Sequence, residues 1–196
     1  MNQAHLFESV SDLPPGFRYE REFLTHTEEA GLLELIATLP LAPAEYKQFT
    51  ARRRIVSYGG RYDFNRSRMQ PAEGIPASLH PLRQRIADWV GAPADRFTYA
   101  VVTEYSTGTQ LGWHRDLPDF EIVVGVSLAG PARMRFRPYP PQRGSRTKSI
   151  ALELEPRSIY SMQGPARWGW QHCIAPTKNL RYSITFRTPR RSNQNS

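Results

Sequence analysis

The segment Leu180-Arg181-Tyr182-Ser183-Ile184-Thr185-Phe186-Arg187 decides the fold. Leu180, Tyr182, Ile184 and Phe186 alternate with Arg181, Ser183, Thr185 and Arg187 without interruption. A period of two marks a strand, because successive side chains leave the pleat on opposite faces. Arg133-Met134-Arg135-Phe136-Arg137 alternates in the same way. Further strands are predicted at Phe97 to Tyr105, Glu121 to Leu128, Ala132 to Arg137, Ile150 to Glu153, Ser158 to Met162 and Trp168 to Ile174, divided by Gly- and Pro-rich turns. Upstream, Thr25-His26-Thr27-Glu28 is a capping box, and Leu32, Leu35, Ile36 and Leu39 follow at helical spacing up to Pro40. A second helix is predicted over Ser78 to Val90, stopped by Gly91. Between the helices, Phe49 to Met69 is aromatic and basic, and Gly59-Gly60 suggests a hairpin turn. The expected class is mainly β (α+β), a sheet sandwich with helices on one outer face.

The 196 residues fit one domain with a sizeable core. Cys173 is the single cysteine, so an internal disulfide is excluded and a reducing compartment is expected. No apolar run is long enough to cross a bilayer, and Met1-Asn2-Gln3-Ala4-His5 lacks the pattern of a signal peptide. A cytoplasmic monomer without membrane contact is the expectation. Arg143 to Ser149 reads as a mobile basic loop, and the polar tail 189–196 as disordered. The formal net charge is +8, with arginines clustered at Arg52-Arg53-Arg54, Arg61/Arg66/Arg68 and Arg133/Arg135/Arg137. Clustered guanidinium groups suit a phosphate-bearing partner, with general solubility as the plainer explanation.

His114-Arg115-Asp116 follows a strand and a turn at Gly108 and Gly112. Residues i and i+2 at a strand end project to the same side, so His114 and Asp116 can reach one ion. His172, in a later strand, can supply a third ligand. Two imidazoles and a carboxylate leave three octahedral positions open, as non-haem iron(II) oxygenases require. The H-x-D spacing alone is common, and a lone histidine is more often packing than ligand. The doubly cationic face of Arg181, Ser183, Thr185 and Arg187 adds weight. It suits a dicarboxylate such as 2-oxoglutarate, with Arg181 pairing bidentately with one carboxylate. The competing reading is an edge strand with its arginines in water. Tyr105, at the end of the strand before the turn, can hydrogen-bond the same carboxylate, or serve as an ordinary core aromatic.

These residues resemble the AlkB family of nucleic acid dealkylases, from about Phe17 to Arg187. The motifs are Glu104-Tyr105-Ser106-Thr107-Gly108, His114-Arg115-Asp116, His172 and Arg181 through Arg187, close to the family's R-Y-N-[LV]-T-F-R pattern. The resemblance implies a double-stranded β-helix (jelly roll) core over about 95–188, within a single domain, and a nucleotide-recognition lid over about 45–70. It implies Fe(II) on His114, Asp116 and His172, dioxygen and 2-oxoglutarate as co-substrates, and DNA or RNA with alkylated bases as partner. Arg181 and Tyr105 would hold 2-oxoglutarate, and Arg187 would lie near it and Asp116. In the lid, Arg53, Arg54, Tyr58, Tyr62 and Phe64 match the basic strand and base-contacting aromatics; Trp113, beside the first ligand, is a further candidate substrate contact. Packing of a hairpin is the alternative for Tyr58, Tyr62 and Phe64.

Three positions depart from the family. Thr103 and Ser183 stand where asparagines contact 2-oxoglutarate, and each keeps a hydrogen-bonding group. Pro118 stands where several DNA-repairing members have an acid that reads the base, with Asp119 one step on. An oxygenase of protein, lipid or small molecules and a non-catalytic nucleic-acid-binding jelly roll are the alternatives to a nucleic acid dealkylase.

Overall fold

The computed structural model describes residues 13–46, 49–63, 68–141 and 149–190. The strands are β1 (Phe17–Glu20), β2 (Ala42–Tyr46), β3 (Phe49–Tyr58), β4 (Arg61–Asp63), β5 (Arg68–Gln70), β6 (Tyr99–Tyr105), β7 (Leu111–His114), β8 (Phe120–Leu128), β9 (Ala132–Pro138), β10 (Ile150–Leu154), β11 (Ile159–Met162), β12 (Trp170–Ile174) and β13 (Arg181–Pro189). The helices are α1 (His26–Thr38), α2 (His80–Val90) and the short α3 (Gly164–Trp168). One sheet has seven strands in the order β1-β11-β8-β13-β6-β3-β2, and a second has four in the order β10-β9-β12-β7. The fold is a mainly antiparallel jelly roll with few helices, as expected.

The deciding segment is the middle strand of the larger sheet, paired with β6 on one side and β8 on the other. It is therefore no edge strand. Ile184 and Phe186 face outward and pack with Val102, Val124 and Val126 under Ile36, Leu79 and Ile86 of the helical layer. Each such side chain contributes roughly 1.5–3 kcal/mol by leaving water. The opposite face turns Arg181, Ser183 and Thr185 into the molecule, all buried. There the gap between the sheets is filled in part by Phe17, Val123, Met134, Phe136, Met162 and Ile174.

The helices are placed by local chemistry. The Thr25 hydroxyl accepts from Glu28 N–H at 3.2 Å, and the Glu28 carboxylate accepts from Thr25 N–H at 2.7 Å, the capping box expected. Gly91 ends α2 in the left-handed region at φ 77°. The predicted start of that helix at Ser78 is instead a 3-10 turn, Ala77–Leu79.

Other expectations are corrected. Gly59-Gly60 does not join a hairpin: β3 pairs with β2 and β6, whereas β4 pairs with β5. Gly59 instead turns the chain at φ 77°, where a Cβ would stand 1.9 Å from the Thr98 carbonyl oxygen. Half of the segment 45–70 thus belongs to the larger sheet. The strand expected from Trp168 begins at Trp170, because α3 occupies the preceding turn. β1 and β2 were not foreseen, and β7 only as the strand end at His114; each is five residues or shorter, too short for a periodic signal. The last strand runs to Pro189. The basic loop at 143–148 and the tail from 191 lie outside the described residues. No helix among the described residues is long and apolar enough to cross a membrane.

One buried carboxylate ties the helical layer to the sheet ends. Glu29 of α1 accepts from Ala129 N–H at 2.9 Å and pairs with Arg157 at 3.3 Å. Both partners sit in turns at φ 65°, a conformation costly to a side chain with a Cβ. Glu29→Ala is expected to destabilise the fold by roughly 1–2 kcal/mol, since it orphans a half-buried cation and an amide. Urea unfolding followed by circular dichroism checks this; a loss below about 0.5 kcal/mol would contradict the clamp.

Candidate metal centre

β7 and β12 lie side by side, and their register sets His114 directly opposite His172, with ring centroids 4.2 Å apart. Asp116 follows two residues after His114, just beyond the strand end. One ligand atom from each of the three residues lies within 4.8 Å of the others. His172 Nε2 is 3.7 Å from Asp116 Oδ2. His114 Nδ1 is 2.8 Å from the Gly112 carbonyl oxygen. A proton on Nδ1 donates to that carbonyl, which leaves the Nε2 lone pair for the cluster.

Asp116 is held from the opposite sheet. Arg187 of β13 donates from Nε to Oδ1 at 2.9 Å, and its Nη2 pairs with the same oxygen at 2.9 Å. Oδ2 is buried and has no hydrogen-bond partner among the described residues. Burial alone would raise the Asp116 carboxyl, but Arg187, followed by His172, His114 and Arg167, outweighs it and holds the group well below the ordinary carboxylate range. Burial, then the neighbouring His114, pushes His172 down to about 3, so its imidazole is neutral at physiological pH. An ionised carboxylate oxygen without a partner and two imidazoles on one small cluster form the nitrogen–oxygen donor set that suits Fe(II). The residues present fit that ion.

A second group of unsatisfied atoms lies deeper. Arg181 is 1% exposed, donates through Nε to Ser127 Oγ at 3.2 Å, and lies 4.8 Å from the Tyr105 ring centroid. Its Nη1 is buried with no partner among the described residues. A buried guanidinium is costly unless an anion meets it. Ser183 stands opposite Thr103 on one side and Ser127 on the other, a row of hydroxyls on the inner face between Arg181 and Arg187.

The structure therefore gathers His114, Asp116, His172, Arg187, Arg181, Tyr105, Thr103 and Ser183 between the sheets. The lid candidates divide. Ile55 stands opposite Thr103, so Arg53 shares the inner face, and Arg54 and Tyr58 the outer. Arg54 pairs with Glu104 at 3.4 Å and donates to the Leu41 carbonyl at 2.8 Å, and Tyr58 is buried in the helix-side core. Both therefore lie on the face turned away from the metal ligands. Trp113 likewise faces away from them. Its ring lies under Arg137 at 4.5 Å and Arg135 at 5.6 Å, on the outer face of the smaller sheet. Tyr62 is half-buried on the β4–β5 ribbon. Phe64 lies outside the described residues. The sequence reading missed Arg167, which is buried beside Asp116 and donates to the Leu117 carbonyl of the ligand loop. It sits in a five-residue helix with no pattern to reveal it.

The chain matches the model of the 2OG-Fe(II) oxygenase superfamily over residues 35–187, a span holding the metal cluster, Arg181 and Arg187. It is 28% identical over 181 residues to the Alkylated DNA repair protein ALKBH8 homolog of Arabidopsis thaliana, covering 82% of this chain and 51% of that one. It is 31% identical over 129 residues to Alpha-ketoglutarate-dependent dioxygenase AlkB of Escherichia coli (strain K12), covering 60% of this chain and 57% of that one. The chain spans about half the length of the curated relatives it matches. Among solved structures, OsALKBH1 superposes with a TM-score of 0.66 at 17% identity, over 90% of this chain and 99% of that one. A prolyl-4-hydroxylase of Pseudomonas putida superposes with a TM-score of 0.58 at 14% identity, over 90% of this chain and 94% of that one. These structural likenesses bear on the fold. With the matched model spanning its site, the chain belongs to the 2OG-Fe(II) oxygenase superfamily as an AlkB-like member, with Fe(II) as cofactor and 2-oxoglutarate and dioxygen as co-substrates.

Proposed function

We propose that this protein is an oxidative dealkylase that removes alkyl groups, methyl above all, from bases of DNA or RNA, acting as a cytoplasmic monomer. The observation that carries the oxygenase reading is that two buried atoms without a partner among the described residues, Asp116 Oδ2 and Arg181 Nη1, lie between the two sheets. His114 Nε2, His172 Nε2 and Asp116 Oδ2 would hold Fe(II). Arg181, with Tyr105 beside it, would anchor the distal carboxylate of 2-oxoglutarate; Thr103 and Ser183 would line its path. When bound, the iron with 2-oxoglutarate and dioxygen supplies an oxidant that hydroxylates a carbon, with succinate and carbon dioxide released. On an N-methyl group the hydroxylated product loses formaldehyde. Arg187 keeps Asp116 ionised and, by engaging Oδ1, leaves Oδ2 open for an ion. Arg181 is 1% exposed, and that burial would strengthen its pairing with a carboxylate.

Two features favour nucleic acid. The relatives' names include alkylated DNA repair. The outer face of β9 carries Arg133, Arg135 and Arg137 in alternation, with the Trp113 ring under two of them. That combination of cations and an aromatic suits a phosphate backbone. Arg53 and Tyr62 would meet the base, with Phe64 as a further contact from the sequence. Pro118, in place of an acid, favours the second reading of a protein, lipid or small molecule as substrate.

Mass spectrometry of N1-methyladenine and N3-methylcytosine oligonucleotides incubated with enzyme, Fe(II) and 2-oxoglutarate is expected to show loss of a methyl group. Co-substrate turnover with every strand type left methylated would refute the nucleic acid reading. Arg187→Met is expected to raise the Asp116 carboxyl, so protons compete with metal at higher pH. The midpoint of metal release should move up by about 1 pH unit, read by metal analysis after dialysis across pH. Replacing Arg135 and Arg137 together by Gln should weaken single-strand binding and flatten its dependence on log salt by about 1–2. An unchanged slope would place the strand elsewhere.

A further inference from the structure

Arg167 is a buried charge that the proposed reaction leaves unused. It is 2% exposed, and its Nε is buried with no hydrogen-bond partner among the described residues. Its guanidinium lies 4.4 Å from the Trp168 ring centroid. A buried guanidinium is costly, and an apolar side chain would fill such a place more favourably. Asp116 is the neighbouring charge that favours its cationic form, while Arg187, Arg115 and Arg190 oppose it. What Arg167 holds is the loop between β7 and β8. Residues 115–119 carry the ligand Asp116 and the Leu117-Pro118 step. A proline disfavours helical backbone at the residue before it, which narrows the conformations open to Leu117. The Leu117 carbonyl accepts from Phe120 N–H at 3.1 Å within the loop, and from Arg167 Nη2 across from it.

Arg167 itself stands on a fixed base. α3 is tied to the N-terminal turn by Ala166 N–H, which donates to the Pro15 carbonyl at 2.8 Å, and by Gln163 N–H, which donates to the Gly16 carbonyl at 3.0 Å. Gly16 permits that approach: it sits at φ 87°, and a Cβ there would fall 2.2 Å from the Gln163 carbonyl oxygen. On the other side, Tyr139 N–H donates to the Gly169 carbonyl at 2.8 Å. Gly169 leads directly into β12, which carries His172. One short helix therefore adjoins the strand of one ligand and grips the loop of another. We infer that Arg167 is a positioning residue for the metal centre: by holding the Leu117 carbonyl to α3, it fixes the spacing of Asp116 and His172, whose ligand atoms stand 3.7 Å apart. The inference rests on the reading of those two residues, with His114, as the ligands. Arg187 and Arg167 act at different points. Arg187 engages the Asp116 side chain through Oδ1, whereas Arg167 engages the backbone one residue further on.

Charge and position predict opposite signs. Removing a cation from beside Asp116 would, by charge alone, tighten the binding of a divalent ion. Releasing the loop would weaken it. The test is titration of the full chain with Mn(II), free ion being counted by electron paramagnetic resonance, with no 2-oxoglutarate or nucleic acid present. Arg167→Met is expected to raise Kd about tenfold, the lower end of the range for groups that orient metal ligands. The melting temperature of the metal-free chain should stay within about 3 °C of the parent, because the Leu117 carbonyl keeps Phe120 N–H and a buried charge is removed. Arg167→Gln, neutral and shorter, should weaken binding to a similar extent, and it decides alone if the methionine variant does not fold. A Kd within twofold of the parent, or below it, would overturn the positioning role and leave the ligands standing. So would a larger loss of stability, or failure to fold, in both variants, since Arg167 would then be a prop of the fold. No Mn(II) binding by the parent would remove the centre and the role of Arg167 together.

Discussion

The structure depends on the cost of burying the Asp116 carboxylate. An ionised carboxylate taken out of water costs several kcal/mol unless a partner repays it. Arg187 repays it from the opposite sheet, with Nε donating to Oδ1 at 2.9 Å and Nη2 paired with the same oxygen at 2.9 Å. A symmetric fork, one donor to each oxygen, would be the usual geometry for an arginine and a carboxylate. The one-sided arrangement stabilises the charge and leaves Oδ2 for a cation. Stability and function here draw on the same contact, so a change that improves the ion pair by engaging Oδ2 would remove a ligand.

That contact exists because β13 is central. A strand with neighbours on both sides has its register fixed twice, by Tyr99 opposite Arg187 and by Val123 opposite the same residue. Ile184 and Phe186, locked into the helix-side core, prevent a slip of one residue that would turn every side chain over. The apolar face of the strand thus fixes the positions of its polar face. All three ligands come from the smaller sheet and the loop after β7, so it is the ion pair with Arg187, and not the cluster itself, that forms only when the sandwich is assembled.

Period was legible in the sequence and phase often was not. The alternation of β13, the capping box at Thr25 and the stop at Gly91 depend on neighbours along the chain, and each was read correctly. The spacing of His114 and Asp116 is local too. Which side of a strand faces the site is decided by another strand. Arg54 and Tyr58 alternate with Arg53 and Ile55, and only the pairing of Ile55 with Thr103 sends the first two outward. Trp113 and His114 are adjacent, so the inward turn of His114 sends Trp113 out. Gly125 and Tyr160 are far apart in sequence and meet only through the pairing of β8 with β11, where a Cβ on the glycine would fall 2.4 Å from Tyr160 Cζ. Nothing in the order of residues announces that a glycine is there to seat a phenol.

The arginines show the same separation of composition from placement. A formal net charge of +8 suggested a polyanionic partner. Yet Arg181 and Arg167 are almost wholly buried, and Arg187 is committed to Asp116. Inside the protein their fields act over short distances at low dielectric and tune a carboxylate and a co-substrate. They add little to the potential felt by a strand in solution, where salt screens charges beyond about 8–10 Å. The cations that matter to such a partner are those on the outer face of β9. There the alternation that places Met134 and Phe136 in the core also sets Arg133, Arg135 and Arg137 in a row. A partner's affinity should therefore follow the geometry of that row and not the total charge of the chain.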